Sequence, residues 1–320
     1  MSAAARRARL RAFAKINLGL RVLERRADGY HELRTVFQTI SLADRIDLEY
    51  TPGRASPVEV ESSIPIVENI AGRAAELLLK AGGVRGRVRI RIDKRIPIGG
   101  GLGGGSSDAA AILLALPVLA GRRLGIERLR ELGAGLGSDV PYFLLGGTAL
   151  GLGRGTEIYP LPQLPAWPAL VVAPAVSLST AEAYRALGRE LTTVSRYNKI
   201  DKFQALVWGL APAPPAREWA GFSQNDFEAL VFARFPRLRA LKRILRGLGA
   251  EPALLSGSGS ALFGIFPSGV DRDRACIAMG KERVEPVSLI SRGRFQAAWW
   301  SSLREHSVGN QWPPQSRYAP

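Results

Sequence analysis

Pro97-Ile98-Gly99-Gly100-Gly101-Leu102-Gly103-Gly104-Gly105-Ser106-Ser107-Asp108-Ala109-Ala110 is the stretch on which the reading of the whole chain turns. Six glycines in seven positions strip the side chains from a loop, so its backbone N–H groups can close around an anion. The small residues that follow can open a helix whose N-terminus favours negative charge. The stretch lies between an alternating, strand-like pattern and an apolar, helix-like one, which separates a phosphate cradle from a flexible Gly/Ser linker. Gly99, Gly101 and Gly104 also satisfy the dinucleotide-binding spacing, but the acidic residue that pattern needs is missing: Glu127, the nearest candidate, lies past Pro117, Gly121 and Gly125 and ends no apolar strand. No Gly-Lys-Ser/Thr ending is present, so the loop is not the usual NTPase P-loop.

Working back from the loop, Val84, Val88, Ile90 and Ile92 alternate with Arg85, Arg87, Arg89 and Arg91, a strand with one apolar and one cationic face. The arginine row is expected to be solvated, or to attract a nucleotide. Glu68–Lys80 has helical spacing, with Ile70, Ala74, Leu77 and Leu78 on one face and Gly82-Gly83 as the stop. From Leu10 to Val22 every even position is apolar while the odd ones include Lys15 and Asn17, which therefore share the non-core face of a half-buried strand. Asp28-Gly29-Tyr30-His31 reads as a turn, and Leu33–Leu42, with Phe37 inside it, and Ile46–Tyr50 as two further strands.

Working forward, Ala109–Leu119 is an apolar helix that Pro117 should kink or end. Asp139 stands among glycine, serine and apolar neighbours, as a helix N-cap or as a reactive carboxylate. Ala149–Gly155 and Pro160–Pro168 suggest a hinge. Ser179–Glu182 can cap a helix carrying Tyr184, and Leu254–Phe263 is a second small-residue turn without hydrolase-elbow spacing. The expected organisation is an N-terminal domain over 1–160, a C-terminal domain over 161–300, and a weakly ordered tail over 301–320 that catalysis does not need.

The 320 residues, 46% hydrophobic and 22% charged, suit a globular protein with two domains, and the net charge of +16 invites polyanionic partners. An RNA-binding module is one alternative this raises. A single cysteine, Cys276, excludes a disulfide framework, and two histidines, His31 and His306, leave little for a His/Cys metal site. No run of about 18 apolar residues occurs, so a cytoplasmic location is expected.

These motifs, in this order from about Arg11 to Phe266, resemble the GHMP small-molecule kinases, the superfamily of galactokinase, homoserine kinase and mevalonate kinase. Ala14-Lys15-Ile16-Asn17-Leu18 followed by Gly29-Tyr30-His31 is similar to the branch that phosphorylates a cytidine-diphosphate-linked methylerythritol for non-mevalonate isoprenoid synthesis. The resemblance implies an α+β fold: an N-terminal domain like the second domain of ribosomal protein S5, a ferredoxin-like C-terminal domain, and a cleft between them. It implies ATP with Mg²⁺, the ion held mainly by ATP oxygens and water. The ATP site would comprise Pro97, Gly99, Gly100, Gly101, Leu102, Gly103, Gly104, Gly105, Ser106 and Ser107, with Asn69 and Lys94 at the adenine. Lys15 and Asp139 would be the catalytic pair, and Asn17, Tyr30, His31, Phe37 and Tyr184 the substrate contacts. A homoserine- or mevalonate-type kinase is the alternative within the superfamily. The expected partner is a small molecule rather than nucleic acid or a membrane, and the expected state a monomer or weak homodimer. The residues suit phosphoryl transfer to an alcohol, which needs positioning and charge neutralisation above all, with Asp139 able to accept the hydroxyl proton and Lys15 able to keep Asp139 ionised.

Overall fold

The alternation around Lys15 produces a 20-residue strand, β1 (Arg6–Arg25), joined by a short turn to a 22-residue strand, β2 (His31–Pro52). The computed structural model describes residues 4–66, 68–176, 179–190, 196–210 and 216–319. β2 is continuous where two strands were expected, because Ala43, Asp44 and Arg45 stay paired with Phe13, Ala12 and Arg11. With β3 (Val58–Ser62), β4 (Gly86–Asp93), β5 (Thr148–Gly153) and β6 (Glu157–Pro160) the hairpin forms a six-stranded sheet in the order β3-β4-β2-β5-β6, β1 pairing with β2. Ala149–Gly155, expected in a hinge, therefore lies mostly in β5. One face of the sheet carries α1 (Ile70–Ala81), α2 (Gly104–Ala120), α3 (Ile126–Leu136) and α4 (Val140–Phe143). Helix α2 is apolar around its circumference and buried from Ser107 to Leu119, the pattern of a helix enclosed on all sides.

On the opposite face the arginine row of β4 is neutralised rather than free. Arg89 meets Glu59 at 2.8 Å and Arg91 meets Glu61 at 2.9 Å, and next to them Arg7 meets Glu49 at 2.6 Å and Arg9 meets Asp47 at 3.2 Å. Exposed pairs of this kind each contribute at most about 1 kcal/mol.

The second sheet is built from β7 (Pro168–Val172), α5 (Thr180–Glu190), α6 (Arg196–Leu210), α7 (Ala216–Ala220), α8 (Phe227–Arg234), α9 (Pro236–Gly247), β8 (Ala253–Leu255), β9 (Leu262–Ile265), α10 (Gly269–Ala278) and β10 (Val284–Ser288). Its strand order, β10-β7-β9-β8 with antiparallel pairing, is the 4-1-3-2 order of a ferredoxin-like sandwich.

The hairpin β1–β2 runs through both bodies. The register of β1 on β2 slips at Phe13/Lys15 and again at Asn17/Gly19. A slip of this kind re-aims the side chains of a strand. Ala8, Leu10, Ala12 and Phe13 belong to the core beneath α2, whereas Ala14, Ile16 and Leu18 pack with Val171, Phe263 and Ile265 of the second sheet. Further on, Leu20 and Val22 join Leu170 and Val172. Lys15 and Asn17 are consequently not on a solvated face: both are buried where the two bodies meet.

Two further expectations are corrected. Pro117 neither ends nor breaks α2, which continues to Ala120 and stops at Gly121 (φ 74°). The proline falls in the last turn, where only the carbonyl of Leu113 forgoes its helical donor. The tail is not weakly ordered. α11 (Arg292–Leu303), β11 (Ser307–Val308) and β12 (Gln315–Ser316) return the chain to the first body, with Phe295, Trp299 and Leu303 in its core. The Trp312 indole donates to Leu144 O (2.9 Å), and the hydroxyl of Ser316 donates to Val118 O (2.6 Å) at the end of α2. His306 Nε2 lies 2.8 Å from Arg7 O, and the guanidinium of Arg6 sits 3.8 Å above the Tyr318 ring. Trp312→Ala should therefore cost about 2–3 kcal/mol, near the lower end for a large buried aromatic because the ring is only part-buried. Truncation after Leu303 should cost more. Denaturant unfolding checks both, and an unchanged melting temperature in the truncated chain would show that the tail does not hold the body.

Candidate active site

The register slips aim Lys15 at the glycine loop and at the start of α4. Its ammonium donates to Asn17 Oδ1 (2.8 Å) and lies 3.3 Å from Asp139 Oδ2, and its backbone N–H donates to Leu102 O (3.0 Å). Asn17 in turn donates to Thr35 Oγ1 (2.7 Å), which donates to Gly19 O (2.8 Å), so the network determines which way the Asn17 amide points. Asp139 occupies the N-cap position of α4 but makes no capping bond. Its carboxylate is instead part-exposed toward the cleft, on the Lys15 side.

The glycine loop is held in shape from beneath. Gly100 O accepts from Ala261 N (3.2 Å) and Gly101 O accepts from Ser256 Oγ (3.0 Å), both from the β8–β9 turn. Gly103, the N-cap of α2 at φ 74°, makes no side-chain cap bond, leaving the first-turn N–H groups to face the cleft. Gly99, Gly101, Gly103, Gly104, Gly105 and Ser106 line that cleft. Pro97, Gly100, Leu102 and Ser107 do not: Leu102 is buried in the core shared with the second sheet, and Ser107 turns its hydroxyl inward to Phe13 O (2.7 Å).

Asn69 and Lys94 also face elsewhere. The side chain of Asn69 caps α1 by accepting from Ala71 N (3.0 Å). Lys94 is enclosed, its ammonium donating to Asp108 Oδ2 (2.7 Å) and to Asp44 Oδ2. Burial alone would lower the Lys94 ammonium, but the two carboxylates raise it above the ordinary lysine value. Burial pushes Asp108 up to about 7 against the pull of Lys94, with Asp44 adding to the rise.

The far end of the cleft is aromatic. His31 stacks on Tyr184 with ring centroids 5.6 Å apart and 26° between planes, and its Nε2 is buried without a partner among the described residues. Burial first, and Arg25 second, hold its imidazole below the ordinary value, so it is neutral at neutral pH. Burial pushes the Tyr184 phenol well above its ordinary value. Tyr30 is exposed at the turn, with the guanidinium of Arg154 4.7 Å from its ring centroid. Phe37 stacks on Tyr142 at 4.7 Å and forms the floor near Lys15.

The cleft has a volume of about 1120 Å³ and joins both ends. From Phe37 to His31 is six residues of β2, about 20 Å. Sequence reasoning did not single out Thr35, Arg154, Thr180, Gly257 or Ser258, which also line it. The Ser256–Ser260 turn was visible as a small-residue segment, but its contact with the first glycine loop, through the Ser256 hydroxyl and the Ala261 N–H, is made to backbone carbonyls and leaves no residue-type signal on the loop.

Two family profiles match this chain: the GHMP kinases N terminal domain over residues 69–147 and the GHMP kinases C terminal domain over 213–284. The chain is 51% identical over 319 residues to the 4-diphosphocytidyl-2-C-methyl-D-erythritol kinase of Solibacter usitatus (strain Ellin6076), covering 98% of this chain and 99% of that one. It is 40% identical over 284 residues to the enzyme of the same name from Syntrophotalea carbinolica, covering 86% and 97%. A crystal structure of a 4-(cytidine 5'-diphospho)-2C-methyl-D-erythritol kinase is similar with a TM-score of 0.72 at 40% identity, covering 88% of this chain and 98% of that chain.

The packing of the two glycine turns makes a sharp expectation. Gly101 has φ 74°, and a Cβ there would overlap the carbonyl of Ser256. Gly101→Ala should cost roughly 2–3 kcal/mol from strain and overlap together. A Cβ at Gly105 meets only Ile70, at 3.6 Å, so Gly105→Ala in the first turn of α2 should leave stability unchanged or raise it. Thermal melts of both variants check the contrast; equal effects would mean the two turns do not press on each other.

Proposed function

The chain belongs to the GHMP kinases, among their 4-diphosphocytidyl-2-C-methyl-D-erythritol kinases, and from that premise we propose that it transfers the γ-phosphoryl group of ATP to the 2-hydroxyl of 4-diphosphocytidyl-2-C-methyl-D-erythritol. The observation that carries this reading is a single cleft joining an uncapped glycine-rich helix start, a buried Lys15 beside the part-exposed Asp139, and an aromatic clamp with an imidazole nitrogen that has no partner among the described residues. On this reading the step belongs to the non-mevalonate synthesis of isoprenoid precursors.

ATP's phosphates rest on the N–H groups of the loop and of the first turn of α2, where oriented donors stabilise negative charge without reorganising. The acceptor hydroxyl lies against Asp139. As its oxygen bonds to the γ-phosphorus, the bond to the β–γ bridging oxygen breaks, ADP leaves, and the hydroxyl proton passes to Asp139. The Lys15 ammonium, 3.3 Å from Asp139 Oδ2, faces the charge that develops on the transferred group. Asn17 keeps the ammonium aimed, since its own orientation is determined by Thr35.

Mg²⁺ would arrive with ATP and be held mainly by ATP oxygens and water, Asp139 being the one carboxylate among the described residues that line the cleft. Such an ion supplies charge neutralisation to the phosphates. At the far end His31 and Tyr184 hold the cytosine, with Tyr30 over it, and the buried Nε2 of His31 is the group that distinguishes one pyrimidine edge from another.

ATP-dependent phosphorylation of the cytidine substrate, detected by mass beside homoserine and mevalonate, tests the assignment. Asp139→Asn should lower kcat by about 10³-fold with ATP affinity nearly unchanged. Lys15→Ala should act on the same step, and the double variant should be little worse than the poorer single one. Losses that multiply in the double variant would mean that the two residues do not work as a unit.

Recognition of the base gives a separate expectation. Tyr30→Ala should weaken cytidine and uridine analogues alike, by about 1–3 kcal/mol, because stacking tolerates any base. His31→Ala should instead erode the preference for cytidine, since a buried polar group left unpaired by the wrong base costs far more than a lost contact. The sign of the pH effect follows from the lowered imidazole. The group is neutral through the neutral range and takes a proton only below the ordinary value of about 6.5. An unfolded chain takes that proton at higher pH, so His31 contributes a loss of stability as pH falls below about 6.5. KM for the cytidine substrate should rise over the same window in wild type and stay flat in His31→Ala. An unchanged cytidine-to-uridine ratio of kcat/KM in His31→Ala would place base selection elsewhere.

A further inference from the structure

Among the buried charges that the mechanism leaves without a role are Asp44, Lys94 and Asp108. Their side chains are almost completely withdrawn from solvent, and they do not face the cleft. Each comes from a different element. Asp44 lies in the middle of β2, Lys94 just after β4, and Asp108 one turn into α2.

What these elements share is the glycine loop. Lys94 precedes it and Asp108 follows it, so the ammonium that donates to Asp108 joins the two stems of the loop directly. Asp44 adds a second tie. Its Oδ1 accepts from the backbone N–H groups of Arg95 (2.6 Å) and Ile96 (2.8 Å), the last two residues before Pro97, while its Oδ2 takes the ammonium. Lys94 Nζ also lies directly under the start of α2, 3.3 Å from where a Cβ on Gly104 would stand.

A loop with six glycines in seven positions has far more backbone freedom to lose on binding than an ordinary loop of its length. Unless its ends are held, ATP would have to supply that ordering itself, at the expense of affinity. The middle of the loop is tied by single bonds to Ser256, Ala261 and Lys15. The stems are held by charge-assisted bonds in a site shielded from water and salt, where such bonds are strongest.

We propose that Asp108, acting through the Lys94 ammonium it shares with Asp44, is a positioning residue that sets the span of the phosphate loop before ATP arrives. The inference rests on the kinase reading above and deepens it. It places Lys94, enclosed as it is, in the service of nucleotide binding through the loop rather than through contact with adenine.

Steady-state kinetics of wild type, Asp108→Ala and Asp108→Asn, with melting temperatures alongside, test it. Asp108→Ala leaves Lys94 and Asp44 as a balanced pair but cuts the tie to α2. It should raise KM for ATP about tenfold while kcat and KM for the cytidine substrate move by no more than about twofold. Asp108→Asn, which still offers the ammonium an acceptor, should restore most of the ATP affinity. Should Asp108→Ala not fold, the double variant Lys94→Met/Asp108→Asn carries the test: it removes the tie but keeps one buried negative charge on Asp44, and the same isolated rise in KM for ATP is expected. The proposal is overturned if the ATP and alcohol KM values and kcat shift together with melting temperature, if KM for ATP is unchanged, or if Asn is as poor as Ala. A wild-type chain that neither binds ATP nor phosphorylates the cytidine substrate would instead remove the kinase reading, so the two failures are distinguishable.

Discussion

An ammonium withdrawn from water costs several kcal/mol unless oxygens replace its hydration shell, and Lys15 is buried where the two sheets meet. Its donors reach Asn17 and lie close to Asp139, one from its own strand and one from a turn that only the assembled first body brings near. Satisfying that charge requires β1 to be slipped against β2, α4 to stand where it does, and the glycine loop to close over the strand through Leu102. The same slip sends Ala14, Ile16 and Leu18 into the second sheet. A side chain placed for chemistry and the seam that joins the two bodies are thus consequences of one irregularity in one strand pair.

The phosphate loop is a surface of backbone, and its neighbours are backbone as well. Gly101 and Gly257 approach so closely that neither position has room for a larger residue without displacing a carbonyl or Lys15. Asn225 ties the second turn down from below, donating to Leu255 O (2.8 Å) and Gly257 O (2.7 Å). A loop that must present N–H groups to an anion cannot be stiffened by its own side chains. It is stiffened by what surrounds it: the β8–β9 turn, the strand beneath, and the charges at its stems.

Helix α2 connects this site to the far side of the molecule. Its N-terminus is left uncapped toward the cleft, while its C-terminus is closed by Arg6 at the start of β1, donating to Leu119 O (2.5 Å), and by Ser316 of the returning chain, donating to Val118 O. The net charge of +16 is distributed in a comparable way. On the outer face of the first sheet the arginines are matched by Glu49, Asp47, Glu59 and Glu61. At the cleft, Arg25, Arg154 and Arg185 line the wall beside the aromatic rings, where a positive field steers anionic substrates.

The sequence by itself determined whatever depends on residue type at short range: the side-chain-free loop, the strand alternation, the apolar helix behind the loop, and the Gly29-Tyr30-His31 turn. Those motifs in that order carried the resemblance to the family, and the resemblance implied one site holding Lys15, Asp139, His31 and Tyr184. Whatever depends on partners distant in the chain was decided only by tertiary structure. Alternation reports that one face of β1 is apolar but not that a second body covers the other, so it puts Lys15 and Asn17 on the non-core face without showing that this face is buried. A lone lysine before the loop reads as a ligand contact, whereas Asp44, 50 residues away, and Asp108 enclose it. The tail has no apolar period because it packs through single residues, Trp312, Pro313, Pro314 and Ser316, onto a surface made by others. Periodicity exists only where an element buries a face of its own, and these contacts have none.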